Sequence, residues 1–203
     1  MTEAGTPGGL VRRQLRRARQ RLKPLLFNYW TVFVRERAFP RTDALTLHLG
    51  CGERRLADAV NIDLRNTVAV DVVCDITRLP YRAGSVQRIE TYHVLEHLPR
   101  DRAVTALVHW HALLRPGGRL IIECPDFDRA VAEYLSGNHE RLGNIFGLQR
   151  FAGDFHLWGW NALRLRTLLA ETGFGNVEES IPQDYHAASE PCLRLEAAKD
   201  DAT

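Results

Sequence analysis

The chain has 203 residues, 45% of them hydrophobic and 26% charged, which suits one packed domain with an appendage. Its net charge of +2 hides an asymmetry: residues 1–40 hold nine basic groups against two acids, a net of +7, and the remainder carries −5. A mildly acidic body excludes a surface built mainly to grip nucleic acid, and no apolar run approaches the roughly 18 residues of a membrane span.

The first nine residues are small, polar and glycine-rich, without the apolar centre of a signal peptide. Val11, Leu15, Ala18, Leu22 and Leu25 then draw one stripe along a helix whose other faces carry arginines. This leader, residues 1–40, is expected to lie on an anionic membrane, to pack on the domain or to meet a second subunit in a homodimer. From residue 41 onward the pattern is that of a single α/β domain. "ALTLHLG", "AVNIDL", "AVDVVCDI" and "VQRIETYHV" read as strands one to four. A helix over 100–114 follows, then a turn at "RPGG" and strand five at "RLIIECP", apolar on both faces as a buried parallel strand should be. The spacing predicts a helix over 126–135, irregular chain over 136–160, and a helix over 161–174 with Asn161 as its cap and Gly173 as its stop. "NVEESIP" and "CLRLEAA" close an open, doubly wound sheet. Cys51, Cys74, Cys124 and Cys192 form no CxxC pair. Three of them sit in apolar strand-like runs and read as reduced, buried thiols of a cytoplasmic protein, with peripheral association at the inner membrane face open to the leader.

In such sheets a ligand lies beyond the carboxyl ends of the strands. Strand one delivers Gly50-Cys51-Gly52, where the lack of Cβ atoms admits a close backbone approach. Strand two delivers Asp63, whose carboxylate can accept from two vicinal ribose hydroxyls. Strand three delivers Asp75 and Ile76, strand four His93, and strand five Pro125-Asp126. Together these outline a nucleoside pocket.

The runs "LHLGCG", "VNIDL", "VVCDITRLPYRAGSVQRIETYHVLEHL", "LLRPGGRLIIECPD" and "DFHLWGW" resemble the class I S-adenosylmethionine-dependent methyltransferases over about residues 45–198. The resemblance implies a Rossmann-like seven-stranded sheet of order 3-2-1-4-5-7-6 with the last strand antiparallel. It also implies S-adenosylmethionine over Gly50, Cys51 and Gly52, its ribose at Asp63 and Leu64, its adenine at Asp75 and Ile76, and His93 under the methionine end. Asp126 would sit where many relatives hold a substrate-contacting or catalytic group. One departure is plain: "ERRLADAV" leaves at most a turn or two of helix between the glycines and Asp63. That counts against the pyrophosphate of NAD(P) and suits a smaller anion, such as a methionine carboxylate met by Arg54 or Arg55.

Methyl transfer to a hydroxyl needs alignment and a group to take the proton. His93, His156 and Asp126 are the candidates, with Trp158 and Trp160 as a lid. No metal is expected, since "HVLEH" puts its glutamate in the wrong place for a zincin and no third ligand is obvious. His109 and His111 flank Trp110 on a helix and read as surface or packing residues. The expected function is O-methylation of a small-molecule or glycan-linked acceptor, against a non-catalytic cofactor-binding scaffold.

Overall fold

A computed structural model of the chain describes residues 44–200; the leader and its expected membrane or subunit contacts lie outside the described residues. The parallel strands β1 (Thr46–Leu49), β2 (Val60–Asp63), β3 (Val72–Val73), β4 (Val86–Tyr92) and β5 (Leu114–Pro125) join β6 (Phe174–Ser180) and β7 (Cys192–Lys199) in one sheet. The order is β3-β2-β1-β4-β5-β7-β6, with β7 antiparallel to both neighbours, as expected. The central strands are buried on both faces along much of their length: Leu47, His48 and Leu49 on β1 are all inaccessible or nearly so. That explains why β1 and β5 are apolar runs rather than alternating ones.

Helices cross over only after β4 and β5. Helix α1 (Arg100–Leu113) joins β4 to β5, and α2 (Phe127–Leu135), α3 (Leu142–Phe146) and α4 (Ala162–Glu171) join β5 to β6. Ala106, Leu107 and Trp110 of α1 and Leu165, Leu168 and Leu169 of α4 enter the same core as the strands. Asn161 caps α4 by accepting from the Arg164 N–H at 2.8 Å, and Gly173 follows its end at φ +95°. Both details match the expected start and stop signals.

Three local expectations change. "RPGG" is not a separate turn but the start of β5: Leu114 pairs with Val86, the register slips, and pairing resumes at Arg88–Arg119. Gly117, at φ +69°, lets the extra residues loop out of the ladder. The segment 136–160 holds a 3-10 turn at His139–Arg141 and α3. Strand three shrinks to two paired residues because Asp75 starts a 3-10 turn, its side chain accepting from the Thr77 N–H.

The short β1–β2 connection has a specific cause. Parallel strands usually need a helical crossover, which satisfies its own backbone. Here the side chain of Asn61, fully buried on β2, takes over that task. Its Nδ2 donates to the carbonyls of Leu56 and Ala59, and its Oδ1 accepts from the Leu56 N–H at 2.8 Å. Asp71 holds Asn61 in turn through the Asn61 N–H at 3.0 Å, and Arg55 pairs with Asp71 at 2.8 Å.

Candidate functional site

The glycine turn is fixed by its backbone. Gly50 adopts φ +67° and Gly52 φ +56°, conformations that favour glycine. A Cβ on Gly50 would stand 2.2 Å from Val94 Cγ2, so the position admits no side chain without movement. Asp63, at the end of β2, draws the turn in: its carboxylate accepts from the Gly52 N–H at 2.8 Å and the Arg65 N–H at 2.7 Å. Each oxygen keeps a lone pair for a further donor.

This turn forms one wall of a cleft of about 1110 Å³. Of the residues expected at a site, Gly50, Cys51, Gly52, Asp63, Leu64, Ile76, His93 and His156 line it together. Asp75 and Asp126 are not among its lining residues. The Asp75 carboxylate is held by Thr77 and by Arg102 at 2.6 Å, and Asp126 caps α2 through the Arg129 N–H at 3.2 Å. Burial opposes ionisation of Asp75, but the hydrogen bonds from Thr77 and Arg102 outweigh it and hold the carboxyl below the ordinary range. Arg54 lines the cleft, paired to Asp184 and lying over the Tyr92 ring at 5.6 Å, whereas Arg55 turns to Asp71. The tryptophans form no lid: Trp160 is core, and neither it nor Trp158 lines the cleft. Leu148, Phe151 and Asp154 line it from the segment after α3, and Arg65 lies over the Phe151 ring at 4.3 Å.

The far wall is rich in imidazoles. His93 ends β4 at φ +53°, an uncommon backbone for a non-glycine residue and one that recurs at functional sites. Its ring lies 3.9 Å from that of His186, and Cys192 Sγ is 3.5 Å from its Nε2. Burial first, and then the neighbouring His186, His156 and His97, push His93 down to about 3. Burial lowers His156 to about 4, although its bond to the Asn144 carbonyl opposes the shift. Both rings are therefore neutral at pH 7 and weak as bases. Between them sits Glu96, 2% exposed, whose carboxyl burial raises to about 8.

Asp184, His186, Tyr185 and Tyr92 also line the cleft and escaped the sequence reading, and Glu96, weighed there only within a zincin pattern, lines it too. Asp184 meets His186 Nδ1 at 2.5 Å, fixing that ring through an Asp-x-His spacing that the sequence does contain. Their segment is anchored from below by Glu123 on β5, fully buried, which accepts from the Gln183 and Asp184 N–H groups at 2.9 Å each and from Arg194 at 3.3 Å.

A family model described as a methyltransferase domain matches residues 47–122. An uncharacterized 37.1 kDa protein in transposon TN4556 of Streptomyces fradiae is 41% identical over 70 residues, 34% of this chain. That match spans 20% of the relative's own length. Among solved structures, a SAM-dependent methyltransferase of Methanosarcina mazei aligns with a TM-score of 0.57 at 12% identity, covering 81% of this chain and 96% of that one. The 1,6-didemethyltoxoflavin-N1-methyltransferase of Burkholderia thailandensis, solved with its substrate and S-adenosylhomocysteine, aligns with a TM-score of 0.54 at 19% identity, covering 92% of this chain and 78% of that one. At these identities the structural likeness speaks for the fold. The family match adds to it, because it runs from β1 to β5 and so contains the glycine turn, Asp63 and the end of β4. The sheet order is the one that the resemblance to class I S-adenosylmethionine-dependent methyltransferases implies, and the segment that matches the methyltransferase-domain model carries its glycine turn and Asp63.

Proposed function

We propose that the protein transfers a methyl group from S-adenosylmethionine to a hydroxyl of a small-molecule or glycan-linked acceptor. One observation carries the reading: a single cleft joins the Gly50–Gly52 turn and Asp63 to the cluster of neutral imidazoles. Its volume of about 1110 Å³ slightly exceeds the usual range for one small ligand, which leaves room for cofactor and acceptor together. The chain fits the cofactor: glycines where a Cβ would collide, a carboxylate with spare acceptor capacity at the end of β2, and apolar Leu64 and Ile76 for a base. When bound, S-adenosylmethionine supplies a methyl group activated by a positively charged sulfur. Arg54, paired with Asp184, and Arg65 are cations of the lining that a methionine carboxylate could meet.

The protein's own part is alignment and proton handling. His93 and His156 are poorly matched to proton removal at neutral pH because burial holds both so low. His186, which burial also lowers, differs in geometry: Asp184 at Nδ1 fixes its tautomer and leaves Nε2 to accept. Asp126 is left outside the proposed site, its carboxylate being engaged as a helix cap. The absence of Trp158 and Trp160 from the lining favours an enzyme over a plugged scaffold.

Calorimetric titration with S-adenosylmethionine and S-adenosylhomocysteine tests the reading, beside Asp63→Ala. Micromolar binding weakened at least about tenfold by the substitution is expected, in line with the loss of a charged acceptor. A folded sample that binds neither ligand overturns it.

A further inference from the structure

The carboxylates around the cleft are not alike. Asp184 is held by Arg54 and His186, and Glu123 by two backbone N–H groups and Arg194. Glu96 is 2% exposed, and neither of its carboxylate oxygens has a hydrogen-bond partner among the described residues. Buried carboxyl groups are normally paired, hydrogen-bonded or bound to a metal.

What faces Glu96 is specific. His97 meets the Phe155 carbonyl with Nδ1 at 2.9 Å, and His156 meets the Asn144 carbonyl with Nδ1 at 2.7 Å. A carbonyl oxygen only accepts, so in both rings the proton sits on Nδ1 and the lone pair on Nε2. His156 Nε2 lies 4.0 Å from Glu96 Oε1, and Glu96, His97 and His156 each place a ligand atom within 4.8 Å of the other two. Lone pairs and a carboxyl group thus converge at a separation too long for a hydrogen bond. Ligands around one ion, bonded at about 2.0–2.2 Å in a tetrahedron, stand roughly 3.4 Å apart, so a small contraction suffices. Donation of the second imidazole N–H to a backbone carbonyl is also how metal-ligating histidines are oriented.

The backbone holds the three residues in register. The Glu96 carbonyl accepts from the Leu157 N–H at 2.7 Å and from the Trp158 N–H at 3.3 Å, which lashes the His156 segment to the Glu96-His97 turn. All three residues line the cleft.

We propose that Glu96, His97 and His156 bind one divalent transition-metal cation of the zinc type, with its open coordination side toward the cleft. Two imidazoles and a carboxylate favour such borderline cations over Mg²⁺ and Ca²⁺, which take oxygen ligands. His93 borders the site, its Nδ1 3.5 Å from Glu96 Oε1. The spacing of "HVLEH" excludes a zincin but cannot reveal His156, which folding delivers as the third ligand. The site stands whether or not the methyl-transfer reading does.

The test uses the full chain stripped with EDTA, titrated with ZnCl₂ by calorimetry and with CoCl₂ by visible absorption. Saturation at one equivalent with micromolar or tighter affinity, and a d–d band typical of a four- or five-coordinate ion, are expected. Glu96→Gln and His156→Ala should each weaken binding by at least about tenfold with the circular dichroism spectrum intact. Cys192→Ser should leave it unchanged, which separates this site from the thiol beside His93. Failure of the folded wild-type protein to saturate below about 100 µM overturns the proposal, as does equal binding by folded Glu96→Gln and His156→Ala. Because the wild-type titration decides on its own, a variant that fails to fold does not shelter the idea. S-adenosylmethionine binding, measured on the same stripped sample, reports separately on the methyltransferase reading.

Discussion

Gly50→Ala tests the turn on which the proposed cofactor site depends. The substitution acts in two ways. A residue with a Cβ at φ +67° carries the left-handed penalty of about 1–2 kcal/mol. Its methyl group would also meet Val94 Cγ2 at 2.2 Å and Cγ1 at 3.0 Å, an overpacking that costs about 1–3 kcal/mol. The expected loss is thus about 2–5 kcal/mol. Val94→Ala removes both offending carbons and leaves only the Val94 Cβ, 3.2 Å away. The double variant should therefore recover the overpacking part, giving a coupling of about 1–3 kcal/mol, while the left-handed penalty stays. Urea unfolding of wild type, both single variants and the double variant measures this directly, with equal slopes as the check that the unfolded state is unchanged. A Gly50→Ala protein as stable as wild type would sink the turn geometry. A cycle additive to within about 0.5 kcal/mol would sink the close approach of Gly50 to Val94.

Glu123→Ala should cost about 2–6 kcal/mol, because it leaves two backbone N–H groups without their acceptor and removes one of the two carboxylates that pair the buried Arg194, Glu196 remaining. A thermal melt showing a loss below about 1 kcal/mol would contradict that account. Stability should also peak near pH 6.5 in EDTA. His93 and His156, at about 3 and 4 in the fold, are neutral where the unfolded chain, with histidines near 6.5, takes up protons. Stability is therefore lost as pH falls from about 6.5 toward 4, by up to about 1.4 kcal/mol per pH unit for each ring. Glu96 works the other way: raised to about 8, it keeps its proton in the fold, so stability falls as pH rises from roughly 4.3 to 8. Below about 6.5 His93 and His156, joined by His48, His97, His111 and His186 that burial also lowers, outweigh one carboxyl, and above it the carboxyl prevails. A urea midpoint that keeps climbing from pH 7 to 8 is the contrary result.

Much of the fold was legible in the chain because its signals are local. Buried parallel strands must be apolar on both faces, so β1 and β5 announce themselves as runs, and Asn161 and Gly173 mark the ends of α4 by their own backbone chemistry. Gly50, Gly52 and Asp63 were readable for the same reason, since each sits at a strand end whose position follows from strand order. Other outcomes depended on partners that only folding brings near. Asp75 and Asp126 look alike at strand ends, yet Arg102 from α1 claims the first carboxylate and the N-terminus of α2 the second. The missing crossover helix was visible as a shortage of residues, whereas its replacement by the side chain of Asn61 was not. Most of all, His156 joins Glu96 and His97 through two backbone bonds to the Glu96 carbonyl. Spacing along a chain reports what one helix or strand can hold together, but a convergence of three segments on one buried carboxyl is decided by tertiary packing alone.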